Sequence, residues 1–143
     1  MKPRDLKQQL LNARHQVVIF DLEGQIIESC DTIVSVETWP SANVFDQWPV
    51  LEGIRHILPE LSNLEIPFRL PAVELSSFGL EGIFDFEFTI HPEHPEQIVW
   101  LMCDQSKIYR YFRRVQQERN MLLLEKEYRQ NGRKITVRSA LDA

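Results

Sequence analysis

Cysteine is nearly absent from this chain: Cys30 and Cys103 are the two among 143 residues. That number and spacing exclude a disulfide framework and a structural zinc motif. Five scattered glycines leave no Gly-rich loop to cradle a phosphate, so nucleotide-binding motifs are missing as well. No run approaches the ~20 consecutive apolar residues that span a bilayer. The N-terminal Met1, Lys2, Pro3, Arg4 and Asp5 open a polar amphipathic segment rather than an apolar signal core, which makes a cytoplasmic protein the expectation. Internal repeats and low-complexity stretches are absent, and no hydroxyl or thiol nucleophile sits in a recognisable elbow.

What is present is ordinary globular material: 43% hydrophobic and 26% charged residues, with a formal net charge of −5. A chain of this length buries roughly 70% of its unfolded surface and needs no metal or disulfide merely to fold. The charge is unevenly placed. Residues 1–106 carry 6 basic and 17 acidic side chains, net −11, whereas residues 107–143 carry 10 basic and 4 acidic, net +6. A basic C-terminal segment suits nucleic acid, anionic lipid or an acidic protein surface. Glu118, Glu125 and Glu127 interrupt it and no stacking aromatic follows Tyr128, which speaks against nucleic acid.

From Pro3 to about Arg14 the spacing of Leu6, Leu10 and Ala13 predicts a short amphipathic helix, residues 1–16 in all, too short to persist undocked. Val17–Phe20 and Gln25–Cys30 read as two strands around a turn in which Gly24 takes a positive φ. The first of these is apolar on both faces and so central. Residues 31–65 read as short helices punctuated by Pro40, Pro49 and Pro59, with Ser41 as an N-cap and Pro49 in a first turn. Ile66–Leu75 reads as an edge strand, because Pro67 and Pro71 lack donors. Ile83–Ile90 alternates Phe84, Phe86, Phe88 and Ile90 against Asp85, Glu87 and Thr89, one face core and one face wet. After a His-Pro-Glu-His-Pro-Glu loop, Ile98–Cys103 forms a second all-apolar, central strand. From Asp104 or Ser106, either of which can cap it, a helix is expected to run to about Gln130 and stop at Asn131-Gly132.

The order of elements predicts an α+β domain with about five antiparallel strands and helices on one face. The run Phe20-Asp21-Leu22-Glu23-Gly24-Gln25-Ile26-Ile27 resembles the first hairpin of PAS sensor domains. Leu101-Met102-Cys103-Asp104-Gln105-Ser106 is similar to their last strand entering the Asp-x-Ser/Thr cap of the exit helix, and Gln116-Gln117-Glu118-Arg119-Asn120 resembles the helix that leads out of such domains in bacterial signalling proteins. The resemblance covers about Val17 to Asn120. It implies a PAS-like domain over residues 17–105, strand order 2-1-5-4-3, a signalling helix at 106–131 and a tail at 132–143. That order would also keep Cys30 and Cys103 apart, with a strand between them.

PAS domains often hold a small ligand between sheet and short helices, so residue types there matter. Residues 31–65 contain no cysteine, which removes the flavin photochemistry known in the family. His56 is the one candidate for an axial haem ligand, but Ile54, Ile57 and Leu58 already define the buried stripe and place it at the border. His91, Glu93, His94 and Glu96 offer metal-ligating types. A polar hairpin loop stiffened by Pro92 and Pro95 explains them equally, and no metal is assigned. Cys103 in an apolar strand would have its thiol pKa raised and its reactivity muted. Trp39, Trp48 and Trp100 read as core or pocket wall.

The resemblance implies a non-catalytic sensory or regulatory module, with Asp104 and Ser106 in the signal relay and a downstream output domain or protein as partner. A small-molecule sensor or small enzyme using the cleft over residues 31–65 is the alternative; no cofactor is assigned. The expected association is a parallel homodimer through Leu6 and Leu10 on the first helix and Phe112, Val115 and Leu122 on the last.

Overall fold

The computed structural model describes residue 4 and residues 14–142, with side chains through residue 131. Five strands make one antiparallel sheet: β1 (His15–Asp21), β2 (Ile26–Ser29), β3 (Phe68–Ser77), β4 (Leu80–Ile90) and β5 (Gln97–Asp104). Their spatial order is β2-β1-β5-β4-β3, the order expected, so the two all-apolar strands are central and β3 is an edge. Two short helices, α1 (Val44–Gln47) and α2 (Pro49–Ile54), and two 3₁₀ turns, Val36–Thr38 and Leu58–Asn63, lie between β2 and β3. The last helix, α3, spans Ser106–Asp142. Residues 1–106 and 107–143 form two compact units.

Strand alternation decides the core. Val18 and Phe20 on β1, Ile98, Trp100 and Met102 on β5, and Phe84, Phe86 and Phe88 on β4 are buried in one cluster with Trp39, Val44, Phe45, Trp48, Leu51, Leu58 and Leu61. Trp100, opposite Val18 and Phe88 in the ladders, is the hub. Its ring meets Phe86 edge-on at 5.1 Å and stacks on Phe88 at 6.2 Å. The other face of the same strands carries Val17, Ile19, Asp85, Glu87, Thr89, Val99 and Leu101, all half-buried.

Several local boundaries differ from those the sequence suggested. His15 and Gln16 belong to β1, not to the N-terminal helix; Gln16 pairs with Met102 and falls in the buried phase with Val18 and Phe20. The helix expected to carry Leu6 and Leu10 lies outside the described residues. Asn43, not Ser41, caps α1: Asn43 Oδ1 accepts from the amides of Phe45 and Asp46, while Ser41 Oγ accepts from Asn43 N–H. Pro49 does open α2. Pro67 precedes β3, and Pro71 sits in a register shift between Leu70 and Val73. There Ala72 takes φ 55° and donates its N–H to Asp85 Oδ1 at 3.0 Å.

Helix α3 continues through Asn131-Gly132 to Asp142, which removes the separate tail. Glycine ends a helix only by adopting the left-handed conformation; otherwise it costs about 1 kcal/mol against alanine and the helix proceeds. Asn131 Nδ2 donates back to the Glu127 carbonyl, a bond within the helix.

Candidate functional site

A dense polar arrangement in the first unit lies where β5 ends. Asp104 Oδ1 accepts from Ser106 N–H at 3.1 Å and from the Ser106 hydroxyl at 2.6 Å. The same Ser106 Oγ accepts from Ile83 N–H at 2.9 Å, and Gln105 N–H donates to the Ile83 carbonyl. On the other side, Asp104 N–H donates to the Arg14 carbonyl, and Arg14 Nη2 lies 3.2 Å from Asp104 Oδ2. One carboxylate and one hydroxyl thus tie the residue entering β1, the first half of β4 and the end of β5 to the first residue of α3.

Gly82 makes room for this knot. At φ 135° it occupies a conformation that side chains avoid, and a Cβ there would collide with Ser106 Oγ. Burial pushes the Asp104 carboxyl up, but the side-chain and backbone bonds from Ser106 and the Arg14 guanidinium outweigh it, leaving the pKa below the usual 3.8. The carboxylate is therefore charged and bonded at neutral pH, the state in which it caps best.

A second polar device sits at the same end of β1, on its inner face. Gln16 is fully buried, yet all its hydrogen-bonding capacity is used. Its Oε1 accepts from the amides of Ile33 and Val34 at 2.8 Å each, and its Nε2 donates to the Val34 carbonyl and Ser29 Oγ. It fixes the chain leaving β2 over the core.

The space between sheet and short helices is filled with aromatic rings. Trp39 meets Trp48 edge-on at 5.3 Å and Trp100 at 6.3 Å, and its Nε1 donates to the Phe78 carbonyl in the β3–β4 turn. Phe78 holds φ 52° there and sets its ring edge-on against Trp48. Four buried polar atoms in the described residues lack a partner: Gln47 Nε2, Trp48 Nε1, Trp100 Nε1 and Gln105 Oε1. Three of these are donors belonging to residues of the aromatic layer or its border.

Of the residues the sequence nominated, Asp104 and Ser106 are brought into one network. Phe112, Val115 and Leu122 lie on α3, 49%, 40% and 66% exposed. His56 is exposed, its side chain outside the aromatic interior. His91 caps its own loop, Nδ1 accepting from the amides of Glu93 and His94. Among the described residues no three His, Cys, Asp or Glu side chains are grouped to hold a metal ion, and no helix is long and apolar enough to cross a membrane. Both cysteines are free thiols. Cys103, 3.2 Å from His15 Nε2, is pushed up to about 11 by burial and then by Asp85, Asp104 and Glu87.

Arg14, Gly82, Ile83 and Gln16 were not singled out from sequence. Gln16 had a signal, a polar residue in phase with Val18 and Phe20. The partnership of Gly82 with Ser106 had none, since it joins positions far apart in the chain. Comparison with protein-family models, with curated proteins and with solved structures found no match.

Proposed function

We propose that this chain is a non-catalytic sensory or regulatory module of PAS-like type, which relays a signal through self-association and α3 to an output domain or partner protein. The observation that carries this reading is the Asp104–Ser106 knot. A change of spacing in the central strands reaches the root of α3 through Ser106 Oγ and the Ile83 amide without passing through a loop. Rigid side-chain networks with buried members carry such coupling well.

Amide hydrogen exchange on the full chain tests it. Asp104→Ala is expected to raise exchange at Ile83–Phe84 and in the first turn of α3 together, and to shift the self-association constant. Exchange that rises in only one of the two places, with association unchanged, would disprove the relay. Turnover of any substrate that is abolished by one substitution in the aromatic layer would overturn the non-catalytic assignment.

A second reading, a small-molecule sensor, is favoured by the unpartnered donors of Gln47, Trp48 and Trp100. Buried donors without acceptors each cost about 1–3 kcal/mol, so a ligand bearing acceptor atoms would be stabilised among them. The exposed His56 does not favour haem. Native mass spectrometry of the purified chain decides: a retained mass supports this reading, and a bare polypeptide mass removes it.

A further inference from the structure

Helix α3 has 37 residues and turns by about 100° per residue, so each side chain has a definite angular position. Ile108, Phe112, Val115 and Leu122 share one side. Stepping instead by threes and fours from Lys107 gives Arg110, Arg114, Gln117, Met121, Leu124 and Tyr128, a row centred about 150° away. The first side is apolar early and turns basic after Leu122, at Lys126 and Arg129. The second is basic early and turns apolar at Met121. A coiled-coil seam drifts only ~20° per heptad, so no single two-stranded seam uses both.

The geometry points to a second copy of this chain as the occupant of the second side, paired in parallel along Met121, Leu124 and Tyr128. This rests on the self-association proposed above and assigns the surface for it. In heptad terms Met121 and Tyr128 are a positions and Leu124 and Asn131 are d positions, a register that reaches Ile135 with one polar member, Asn131, at d. The three apolar members are 63%, 63% and 64% exposed. The alternative seam is broken at Arg119 and ends at Lys126.

Flanking charges choose the occupant and its direction. In a parallel pair each g residue faces the e residue five places on in the other chain, which sets Arg113 against the partner's Glu118, twice by symmetry. Asn120 then faces the partner's Glu125, a neutral donor beside a carboxylate. An antiparallel pair on the same seam would set Glu125 against the partner's Glu125 and Glu127 against the partner's Glu127, like charges at both flanks. Toward the N-terminus the same row places Lys107, Arg110 and Arg114 against their own copies. That repulsion ends the zipper near Gln117 and holds the first halves apart, leaving Phe112 and Val115 free on outward sides. The assembly is a fork with a zipped stem.

Sedimentation velocity of the full chain with point variants tests this. Leu124→Asp should weaken dimerisation at least a hundredfold, while Val115→Asp should change it less than threefold. If Leu124→Asp also lowers helicity, the helix-favouring Leu124→Ala must weaken the dimer about tenfold at unchanged far-UV signal. Glu118→Arg should weaken it severalfold and Arg113→Glu in the same chain should restore it. Asn131→Cys should form an intermolecular disulfide on mild oxidation, because parallel pairing sets position 131 against itself. A dimer lost with Val115→Asp but kept with Leu124→Asp would overturn this surface while leaving self-association intact. A wild type that stays monomeric at several hundred micromolar would overturn self-association itself.

Discussion

The two faces of the sheet are made by the same strands, residue by residue in alternation, and they obey different physics. On the inner face Phe20, Phe86, Phe88 and Trp100 are sealed within 1% exposure and touch ring to ring. On the outer face Asp85 and Glu87 on β4 stand beside Val99 and Leu101 on β5, with Val17 on β1 beyond, each partly wet. Stability should be concentrated on one side of a plane one residue thick. The outer face then contributes solubility, charge and contacts rather than folding energy.

Removing the hub separates the faces most sharply. Trp100→Ala deletes a fully buried indole that contacts Phe20, Trp39, Phe86 and Phe88, and is expected to cost about 4 kcal/mol, enough to unfold a marginal domain. Urea unfolding followed by tryptophan fluorescence checks it. A loss near 1 kcal/mol would mean that the aromatic layer has slack, as a cavity prepared for a ligand would give.

Gln16 breaks the rule of an apolar inner face and shows what that exception is for. Gln16→Ala would strand the Ile33 and Val34 amides and is expected to cost about 2–3 kcal/mol, with hydrogen exchange rising first at those two amides. Gln16→Leu fills the space but satisfies neither amide. It should recover no more than half of the loss.

The inner face was legible in the sequence because period-two alternation at Phe84–Ile90 and the apolar runs of β1 and β5 are local signals. Which strands are central and which is an edge followed from them and from Pro67 and Pro71, whereas the full strand order came only from the PAS resemblance. The knot at Asp104 was half legible: an Asp two residues before a Ser at a helix start is a cap by sequence. Its ties to Arg14, Gly82 and Ile83 bring together distant positions and leave no pattern. The end of α3 was misread at Asn131-Gly132 because that dipeptide permits a stop without requiring one. The row Met121, Leu124, Tyr128 and the cations of the first half all lie within the helix expected to run to about Gln130, so their angular relation follows from the sequence once that helix is granted.

Asp104, at the end of β5, gives the next test. Its folded pKa lies below its ordinary value, so its contribution is complete above the unfolded pKa and is lost as the pH falls through the folded one. Stability should therefore be flat near neutrality and decline below about pH 4, and Asp104→Asn should remove that part of the decline. At pH 7 Asp104→Asn should cost about 1 kcal/mol, the worth of a charge-assisted cap. Thermal melts of both proteins between pH 7 and pH 3 measure the difference. An unchanged acid profile would show that the ties to Ser106 and Arg14 do not bias the carboxylate.

The smallest effect belongs to the outer face. Arg69 on β3 lies directly opposite Glu87 on β4, with Nε 2.9 Å from Oε1, a close ion pair. By distance alone it would rank with the cap. Yet Arg69 is 69% exposed and Glu87 32%, on an edge strand, where water competes for both charges and ordering a long arginine offsets much of the attraction. Arg69→Ala is therefore expected to cost about 0.5 kcal/mol at low salt, and almost nothing near 1 M salt, where the screening length falls to ~3 Å. Urea midpoints at the two salt concentrations decide it. A cost above about 1.5 kcal/mol that salt leaves untouched would mean that this pair is shielded from solvent, and that the outer face is covered rather than wet.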